Sequence, residues 1–458
     1  MSDGGSMIFT FHSKTAKYIQ IYEKIVALIR TKQLRENEKL PSIRVLAEQL
    51  QVSRNTTLEA YEILLAEGYI RAEQKKGYYV NPLESIYIQK TEVFTQPYVE
   101  ESSIDIDFRV GAVDQRHFPY TVWQKYSKEV LKQSKSYTYG EVFGERELIV
   151  QLRQYLFQAR GIQTTEQAIV IGSSTQQLLL QLSFLLKKRF DRILLEDPGY
   201  EGVRHVFELQ GFQFDTVDAT KDGLTLQQLA TKIAKLMYVT PSHQYPFGSA
   251  LSIQQRLTLI EWACNNKGYI IEDDYDGEFR YEQKPFPALA SLNPQCTIYM
   301  GTFSKSFLPG IRLAYMVLPP DLIDSYKEIF QHFENTASKI HQLTMAKLMA
   351  GGEWSKHIRR MRKIYREKMA VLKECLISEL PHSVVYGEQA GLYVLIKMPS
   401  NMKNLIEKAH EKGVNVQCVD NLFQQKTEKN YFLVGFANCT LEEIRQGVQR
   451  LAIAWEES

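Results

Sequence analysis

Apolar residues recur at helical spacing in the first part of the chain. The stretch YIQIYEKIVALIRT, residues 18–31, has this pattern, and two more amphipathic segments follow in KLPSIRVLAEQLQVSRNTTLEAYEILLAEGYI, which starts at residue 39. Ser42, directly after Pro41, and Ser53 are typical N-terminal caps, so we expect the second and third helices to begin there. The pattern therefore predicts three helices, the last two separated by the short turn of a helix-turn-helix.

The periodicity changes after the third helix. GYIRAEQKKGYYV, residues 68–80, contains two short strand-like pieces around a basic turn with a glycine, which predicts a hairpin wing. Residues 81–104 lose clear periodicity and contain two prolines and many polar residues, which is typical of a linker. We expect the native start at Met7, so the first module spans 7–80, the linker 81–104 and the remaining domain 105–458.

Short apolar runs alternate with helical stretches from residue 105 onward. The runs are QAIVIG, RILLED, FQFDTV, KLMYVT, GYIIEDD and TIYMGTF. This alternation predicts an α/β domain with a mainly parallel sheet wrapped by helices. Ligands of such sheets bind at the carboxyl ends of the strands, where the polar motifs of this chain fall.

Composition narrows the class of protein. The 458 residues predict two to three domains, and 44% hydrophobic with 24% charged residues is typical of a globular protein. No apolar run approaches the roughly 20 residues of a membrane span and no signal peptide opens the chain, so we expect a cytoplasmic protein without a membrane partner. The five cysteines lack the spacing of a disulfide framework or a zinc site, so we expect no metal; they are Cys264, Cys296, Cys375, Cys418 and Cys439.

Charge is distributed unevenly around a net +2. Residues 7–80 contain 12 Lys and Arg against 8 Asp and Glu, whereas residues 81–104 contain one Lys against four Glu. The amino end of the third helix offers side chains that can read base edges, namely Arg54, Asn55, Thr56 and Thr57, while Arg44, Lys75 and Lys76 can meet phosphates. A basic helix-turn-helix indicates double-stranded DNA as the partner, although a helical docking domain with solvated charges has the same periodicity.

Three stretches of the second domain bear candidate chemistry. VIGSSTQQLLLQLSFLL, residues 170–186, places hydroxyl groups and free amides at a helix start near Thr175, which suits a phosphate and is equally the pattern of an ordinary cap. GYIIEDDYDGEFRY, residues 268–281, ends an apolar strand in four carboxylates, which indicates a protonated ring nearby, with a metal site or a solvated acidic loop as alternatives. IYMGTFSKSFLPGIRLAYMVLP, residues 298–319, places Lys305 after a strand.

A lysine in that position can form an imine with an aldehyde when burial favours its neutral form. Together with Thr302 and Arg312 as phosphate partners, the three stretches describe a pyridoxal phosphate site. In that site Asp273 would hold the pyridine nitrogen protonated, Tyr275 would contact the ring oxygen and Tyr200 would stack on the ring.

The motifs resemble a known family. LPSIRVLAEQLQVSRNTTLEAYEILLAEGYI and KKGYYV are similar to the winged helix-turn-helix of GntR-type bacterial regulators, and TPSHQYPFG, IIEDDYDGEF and GTFSKSFLPGIR resemble the MocR subfamily, in which that module is fused to a fold-type I, aspartate-aminotransferase-like domain. The resemblance implies a head-to-tail homodimer that binds promoter DNA and responds to a small-molecule effector. It implies DNA contacts at Arg44, Arg54, Thr56 and Gly77, which we extend to Ser53, Asn55, Lys75 and Lys76.

The same resemblance implies the roles of the cofactor residues. Lys305 is the aldimine lysine, Asp273 and Tyr275 contact the ring with Asp274 as the alternative to Asp273, and Tyr200 stacks on it. Around the phosphate it places Ser174, Thr175, Gln176, Thr302 and Arg312.

Two departures from the aminotransferase pattern bear on activity. Tyr245 stands where an asparagine usually contacts the ring oxygen, and Leu433 stands where an arginine usually grips the α-carboxylate of an amino acid. We therefore expect a regulator of the PdxR type, which senses pyridoxal phosphate itself and controls its synthesis genes. The alternatives are a GabR-type regulator that senses an amino acid as its external aldimine, with Arg204, Arg109 or Arg116 supplying the anchor, a working aminotransferase, and a scaffold without cofactor.

Overall fold

The computed structural model describes residues 10–12, 15–82, 104–281, 286–399, 402–423 and 430–456. The chain divides into two compact units, residues 1–100 and 101–458. The predicted linker, residues 81–104, lies almost wholly outside the described residues and stays a prediction.

The first unit contains the elements expected of a winged helix. Its elements are α1 Lys17–Arg30, α2 Ile43–Leu50, α3 Arg54–Ala66, β1 Ile70–Glu73 and β2 Gly77–Val80. The side chain of Ser42 accepts a hydrogen bond from the Val45 amide and that of Ser53 from the Thr56 amide, so both predicted caps are confirmed. The two strands pair antiparallel, with Ile70 opposite Val80.

The apolar faces of the three helices form the core of this unit. Ile21 of α1, Leu46 of α2 and Leu64 of α3 are fully buried, together with Tyr61. The Tyr61 hydroxyl donates to the Pro41 carbonyl oxygen at 2.8 Å, which satisfies the one polar atom of that buried ring.

The second unit is a three-sheet α/β domain. Its strands are β3 Ile106–Asp107, β4 Ile169–Gly172, β5 Arg192–Asp197, β6 Gln213–Thr220, β7 Gly223–Leu224, β8 Leu236–Val239, β9 Tyr269–Asp274, β10 Thr297–Thr302, β11 Ala314–Val317, β12 Val384–Tyr386, β13 Tyr393–Lys397, β14 Val414–Asn415, β15 Gln417–Cys418 and β16 Tyr431–Gly435. Its helices are α4 Tyr120–Leu131, α5 Arg146–Arg160, α6 Thr175–Lys187, α7 Glu201–Leu209, α8 Ile253–Asn265, α9 Leu289–Leu292, α10 Pro320–Phe330, α11 Lys339–Ala350, α12 Glu353–Glu379, α13 Leu405–Glu411 and α14 Leu441–Glu456.

Eight strands form the main sheet in the order β4-β11-β10-β9-β8-β5-β6-β7. β10, β9, β8, β5 and β6 are mutually parallel, while β11 runs antiparallel to both of its neighbours and β7 antiparallel to β6. The predicted mainly parallel sheet is therefore confirmed. Because β8, β9 and β10 are neighbours, the polar residues that follow them lie along one edge of the sheet.

Two smaller sheets are built largely from the last part of the chain. β12, β13, β16 and β15 form an antiparallel sheet in that order. β14 pairs in parallel with β3, which joins Val414 to Ile106 across more than 300 residues. Within the described part of the chain, no helix is long and apolar enough to cross a membrane.

A buried ion pair fixes the start of the second unit to α12. The Lys368 ammonium lies 2.6 Å from Asp114 Oδ2 and 2.7 Å from the Ala437 carbonyl oxygen, and Arg116 contacts the other carboxylate oxygen of Asp114 at 2.8 Å. Burial acts to raise the pKa of Asp114, but the hydrogen bonds from Arg116 and Lys368 outweigh it and hold the pKa at about 2.

We predict that Asp114→Asn destabilises the protein strongly, because it leaves the Lys368 ammonium buried without its counter-charge. Removing one partner of such a pair costs about 3 to 5 kcal/mol. Denaturant unfolding at pH 7 measures the loss. Because the folded pKa of Asp114 is lower than the unfolded value, the wild type should itself lose this stabilisation as the pH falls from about 4 towards 2, and the variant should not.

Glu129→Gln is the matched control. Glu129 pairs with Lys347 at 3.1 Å, but both side chains are more than a third exposed, so this pair contributes roughly 0 to 1 kcal/mol. Equal effects of the two substitutions would contradict the stabilising role assigned to the Asp114–Lys368 pair.

Candidate functional site

A cavity of about 350 Å³ opens at the carboxyl ends of β8, β9 and β10. All nine residues predicted for the cofactor line it: Ser174, Thr175, Gln176, Tyr200, Asp273, Tyr275, Thr302, Lys305 and Arg312. They come from four separate stretches of sequence, so the fold brings together what the motifs indicated one by one.

Lys305 lies in the turn after β10. The turn is held by Thr302, whose hydroxyl oxygen accepts from the Ser304 amide at 3.1 Å, and by the Phe303 amide, which donates to the Leu313 carbonyl oxygen. Lys305 Nζ is 3.7 Å from the position that a Cβ would take on Gly111, which is an ordinary van der Waals distance, and the φ of 126° at Gly111 is what favours glycine there. Burial lowers the pKa of Lys305, against the carboxylates of Asp276 and Asp273, and so favours the neutral, nucleophilic amine.

The two consecutive aspartates at the end of β9 have different surroundings. Asp274 Oδ2 accepts from Arg160 at 2.5 Å and from the Tyr299 hydroxyl at 2.6 Å, which commits this carboxylate to a buried ion pair. Asp273 points to the opposite face of the strand and lines the cavity, where its Oδ2 accepts from the Tyr238 hydroxyl at 2.6 Å. The surroundings thus favour Asp273 over Asp274 as the residue that faces the ring.

Asp273 retains one buried acceptor. Within the described part of the chain, its Oδ1 atom has no hydrogen-bond partner. Burial raises the pKa of Asp273 to about 7, with Asp274 and Asp276 acting in the same direction and Tyr238 and Lys305 in the opposite one. A protonated pyridine nitrogen supplies both the donor and the positive charge that this carboxylate needs, so the residue fits the ring of pyridoxal phosphate.

A second group of lining residues suits a phosphate. α6 begins at Thr175, and Ser174 caps it by accepting from the Gln177 amide at 3.1 Å. Residues at the amino end of this helix line the same cavity as Thr302 and Arg312. Helix amides and a guanidinium are the donors that bind a dianion, so this group of residues fits the phosphate.

Aromatic rings form the walls of the cavity. Tyr200 lies edge-on to Tyr245 with 6.2 Å between ring centroids, and its hydroxyl accepts from Gln176 at 3.2 Å. Tyr275 was expected to contact the ring oxygen, and its hydroxyl already donates to the His243 carbonyl oxygen at 2.8 Å and lies 3.0 Å from the Tyr393 hydroxyl. Any contact of Tyr275 with a ligand therefore extends an existing network.

The position of the usual carboxylate anchor is apolar. Leu433 is fully buried in a cluster of aromatic and aliphatic side chains. It pairs across the sheet with Leu395 on one side and Gln417 on the other, and Gln417 lines the cavity.

The three arginines named as substitutes have other contacts. Arg109 pairs with Asp107 at 2.8 Å, Arg116 pairs with Asp114, and the Arg204 guanidinium lies 4.9 Å from the centroid of the Phe214 ring. None of the three is among the described residues that line the cavity.

The predicted DNA contacts lie in the first unit. Arg54 and Asn55 are exposed at the start of α3, while the Ser53 and Thr56 hydroxyls are 2.8 Å apart within the cap. Thr57 is fully buried, so its assignment to the reading face was wrong: the helix turns that side chain into the core.

The remaining predicted contacts are phosphate partners. Arg44 forms an exposed pair with Glu48 at 3.0 Å, and Lys76 lies 3.4 Å from Glu73. Lys75 and Gly77, in the turn of the wing, both have positive φ, at 62° and 116°. Gly77 permits this turn because it lacks a Cβ, which presents the basic tip to solvent.

Several residues of the cavity escaped the sequence prediction. Tyr238 holds Asp273, and Asp276 Oδ2 lies 2.8 Å from His243 Nδ1. Tyr238 lies in the strand KLMYVT and could have been found from strand alternation, which places its side chain on the same face of the sheet as Asp273. The sequence around Gln417 gave no such signal, because Gln417 reaches the cavity only through the pairing of β15 with β16.

Comparison with known proteins follows the division into two units. Residues 103–451 match the family described as aminotransferase class I and II, and residues 17–80 match bacterial regulatory proteins of the gntR family. The chain is 37% identical to the uncharacterized HTH-type transcriptional regulator YdeL of Bacillus subtilis, covering 96% of each chain. It is 28% identical to the probable rhizopine catabolism regulatory protein MocR of Rhizobium meliloti, covering 95% of this chain and 93% of that protein.

A more distant relative and a solved structure extend the comparison. The chain is 27% identical to the HTH-type pyridoxine biosynthesis transcriptional regulator PdxR of Corynebacterium glutamicum, covering 95% of each chain. An archaeal alanine:glyoxylate aminotransferase superposes with a TM-score of 0.72 at 26% identity, covering 77% of this chain and 91% of that chain. That coverage corresponds to the second unit in length.

We predict opposite effects on stability from the two aspartates of β9. In the cofactor-free protein at pH 8, Asp273→Asn should raise the free energy of unfolding by about 1 to 2 kcal/mol, because it removes a buried carboxylate whose folded pKa exceeds its unfolded value. The gain should shrink at pH 5, where the wild-type carboxyl is protonated. Asp274→Asn should cost about 3 kcal/mol, because Arg160 loses its counter-charge.

Denaturant unfolding of the three proteins at both pH values measures these differences. Other buried carboxyls, including Glu196 and Glu278, have a pKa raised by burial to about 7, so the comparison of variant with wild type isolates Asp273. A loss of stability in both variants would contradict the division of roles between the two faces of β9.

Proposed function

This chain belongs to the aminotransferase class I and II family and, with its gntR-type first domain, to the MocR subfamily of transcriptional regulators, and from that membership we propose that pyridoxal phosphate itself is its signal. On this proposal the winged helix binds promoter DNA in the cytoplasm, and capture of the cofactor by Lys305 changes that binding. The genes under control are those for pyridoxal phosphate synthesis, which the name of the Corynebacterium relative also points to.

The charges around the cavity carry the proposal. Among the described residues that line it, the only side chains of fixed or potential positive charge are Lys305 and Arg312. Arg312 would hold the phosphate and Lys305 would bond to the aldehyde, so the cofactor alone would use both cations. A bound amino acid adds an α-carboxylate. Among the described lining residues no further guanidinium is left to form a charge-assisted pair with it, an interaction worth roughly 1.5 to 3 kcal/mol.

The side chain of Leu433 strengthens this point. It is fully buried among apolar neighbours, so the strand offers an ordinary core residue where an aminotransferase has its anchor. Gln417 lies across from it and can donate from a neutral amide, which is a weaker partner for a carboxylate than a bidentate arginine.

The residues of the site have distinct tasks in cofactor capture. When bound, pyridoxal phosphate supplies an aldehyde, the electrophile that a neutral amine attacks. Burial keeps the Lys305 amine closer to its neutral form. Asp273, whose Oδ1 atom has no hydrogen-bond partner among the described residues, would accept from the ring nitrogen and carry the balancing negative charge, and Arg312 would hold the phosphate.

The signal reaches DNA through a difference in affinity. A ligand shifts the arrangement of two domains only as far as it binds one arrangement better than the other. In a head-to-tail dimer, the arrangement sets how two winged helices meet two half-sites. By linkage, the factor by which cofactor changes the affinity for DNA is also the factor by which DNA changes the affinity for cofactor.

A second candidate is a regulator that senses an amino acid, or a working aminotransferase. The observation that favours it is the likeness of the second unit to aminotransferase structures, with Lys305 and Asp273 both at the cavity. Efficient turnover would require a carboxylate anchor from outside the described lining residues.

We predict that pyridoxal phosphate alone changes the affinity of the full-length protein for its promoter DNA, by a factor within the range of about 5 to 150 that is typical of allosteric coupling. Lys305→Ala should abolish the change. Lys305→Arg is the matched control: it keeps the positive charge and cannot bond to the aldehyde, so it should behave like the alanine variant. A titration monitored by fluorescence anisotropy measures the affinity.

The substitution Arg54→Ala separates DNA binding from cofactor binding. It should weaken DNA binding by about 1 to 3 kcal/mol and leave the absorbance of the bound cofactor unchanged. If Lys305→Arg responded to the cofactor like the wild type, covalent capture would be ruled out as the signal.

We also predict that amino acids at millimolar concentration cause no saturable change in the absorbance of the cofactor-loaded protein. The reason is that Arg312 is the one arginine among the described residues that line the cavity, and Leu433 occupies the position of the usual anchor. Each of the twenty amino acids and γ-aminobutyrate would be titrated, and pyridoxamine phosphate measured after prolonged incubation. A saturable response to one compound would make the amino acid the effector, while leaving the binding of cofactor by Lys305 unaffected.

A further inference from the structure

Two thiols that are distant in sequence lie in contact in the second unit. Cys264 is in the last turn of α8, and Cys296 directly precedes β10. Their Sγ atoms are 3.4 Å apart although 32 positions separate them in the chain. The sulfurs already touch, and a disulfide bond would require them to approach to about 2.05 Å.

The two thiols differ in access to solvent. Cys264 is exposed, whereas Cys296 is 5% exposed. The Asn293 side-chain amide donates to Cys264 Sγ at 3.3 Å, which holds this sulfur beside Cys296 at the surface. A small reagent therefore reaches Cys264 first, and Cys296 lies behind it.

We propose that Cys264 and Cys296 are a thiol–disulfide exchange site that reacts with low-molecular-weight disulfides and ends as an intramolecular disulfide. In the first step the Cys264 thiolate attacks one sulfur of the small disulfide, which forms a mixed disulfide and releases one small thiolate. In the second, Cys296 loses its proton and attacks the Cys264 sulfur, which forms the internal bond and releases the second small thiolate. The two cysteines are oxidised together, and one small disulfide is reduced to two thiols.

The second step is the slower one. Burial raises the pKa of the Cys296 thiol to about 12, and the hydrogen bond with Cys264 acts in the same direction. The contact between the sulfurs compensates in part, because an adjacent thiol reacts as if it were present at very high concentration. The mixed disulfide at Cys264 should accordingly be observed before the internal bond.

The bond would close a loop that contains the centre of the cofactor site. β9, with Asp273, lies between the two cysteines in sequence. Closing this loop restricts the unfolded chain and so stabilises the folded one. Oxidation should therefore raise the midpoint of thermal unfolding, and reduction by dithiothreitol should restore the original value.

The test uses the full-length protein and glutathione disulfide, with peptide mass mapping under non-reducing conditions. Cys418 provides an internal control: it is exposed in β15, and among the described residues no second thiol contacts it. We expect Cys418 to retain a glutathione adduct, and Cys264 to lose its adduct with time as a Cys264–Cys296 peptide pair appears.

Cys296→Ser is the matched variant, since it removes only the second sulfur. It should retain the adduct on Cys264 and show no rise in the unfolding midpoint on oxidation. If the wild type kept a stable adduct on Cys264, or if Cys264 stayed unmodified while Cys418 reacted, the exchange site would be disproved. Neither result bears on cofactor capture by Lys305, which absorbance reports separately.

Discussion

The burial of two adjacent carboxylates at the end of β9 is the constraint on which the second unit depends. Ionised carboxylates are costly to remove from water unless each is paired. Asp274 is paired by Arg160 on one face of the sheet, while on the other face the hydrogen bond that Asp273 accepts from a described residue comes from the neutral Tyr238 hydroxyl. Asp274 thus has a counter-charge, and the carboxylate without a comparable ion pair lies in the cavity. A bound cationic ring would compensate for this missing positive charge.

The same logic of charge separates this chain from aminotransferases that share its fold. A fold does not determine a reaction; the charges at its site do. Here Lys305 and Arg312 are the two cationic side chains among the described residues that line the cavity, and the strand that would hold a third cation presents Leu433 to an apolar cluster. Joined to a winged helix, such a site is suited to detecting a ligand, since detection needs only a difference in affinity between two states.

Local features of this protein were predictable from sequence. Helix starts could be predicted at Ser42, Ser53 and Ser174, because a cap and its helix are adjacent in the chain. Strands β9 and β10 could be predicted because each is an apolar run that ends in polar residues. The nine residues predicted for the cofactor line one cavity, and most of them follow strands of the main sheet whose ends lie along one edge.

What escaped prediction depends on proximity across the chain. The antiparallel insertion of β11, the hydroxyl of Tyr238 on Asp273 and the contact of Cys264 with Cys296 all require the order of strands or the packing of a helix on the sheet. Periodicity predicts which face of a helix or strand is apolar, but it does not predict which other element packs against that face. The prediction for Thr57 was wrong for a related reason. At the start of a helix, neighbouring residues in the sequence can face the DNA and the core, and Thr57 is fully buried.

The pairing of β3 with β14 has a consequence for biosynthesis. The winged helix is contiguous within residues 15–82, so it can fold while the ribosome is still translating the rest of the chain. The second unit cannot complete its fold before the end of the chain is made. Ile106 pairs with Val414, and the Phe108 amide donates to the carbonyl oxygen of Asn415. A nascent chain can therefore have a folded winged helix before the strands of its second unit are complete.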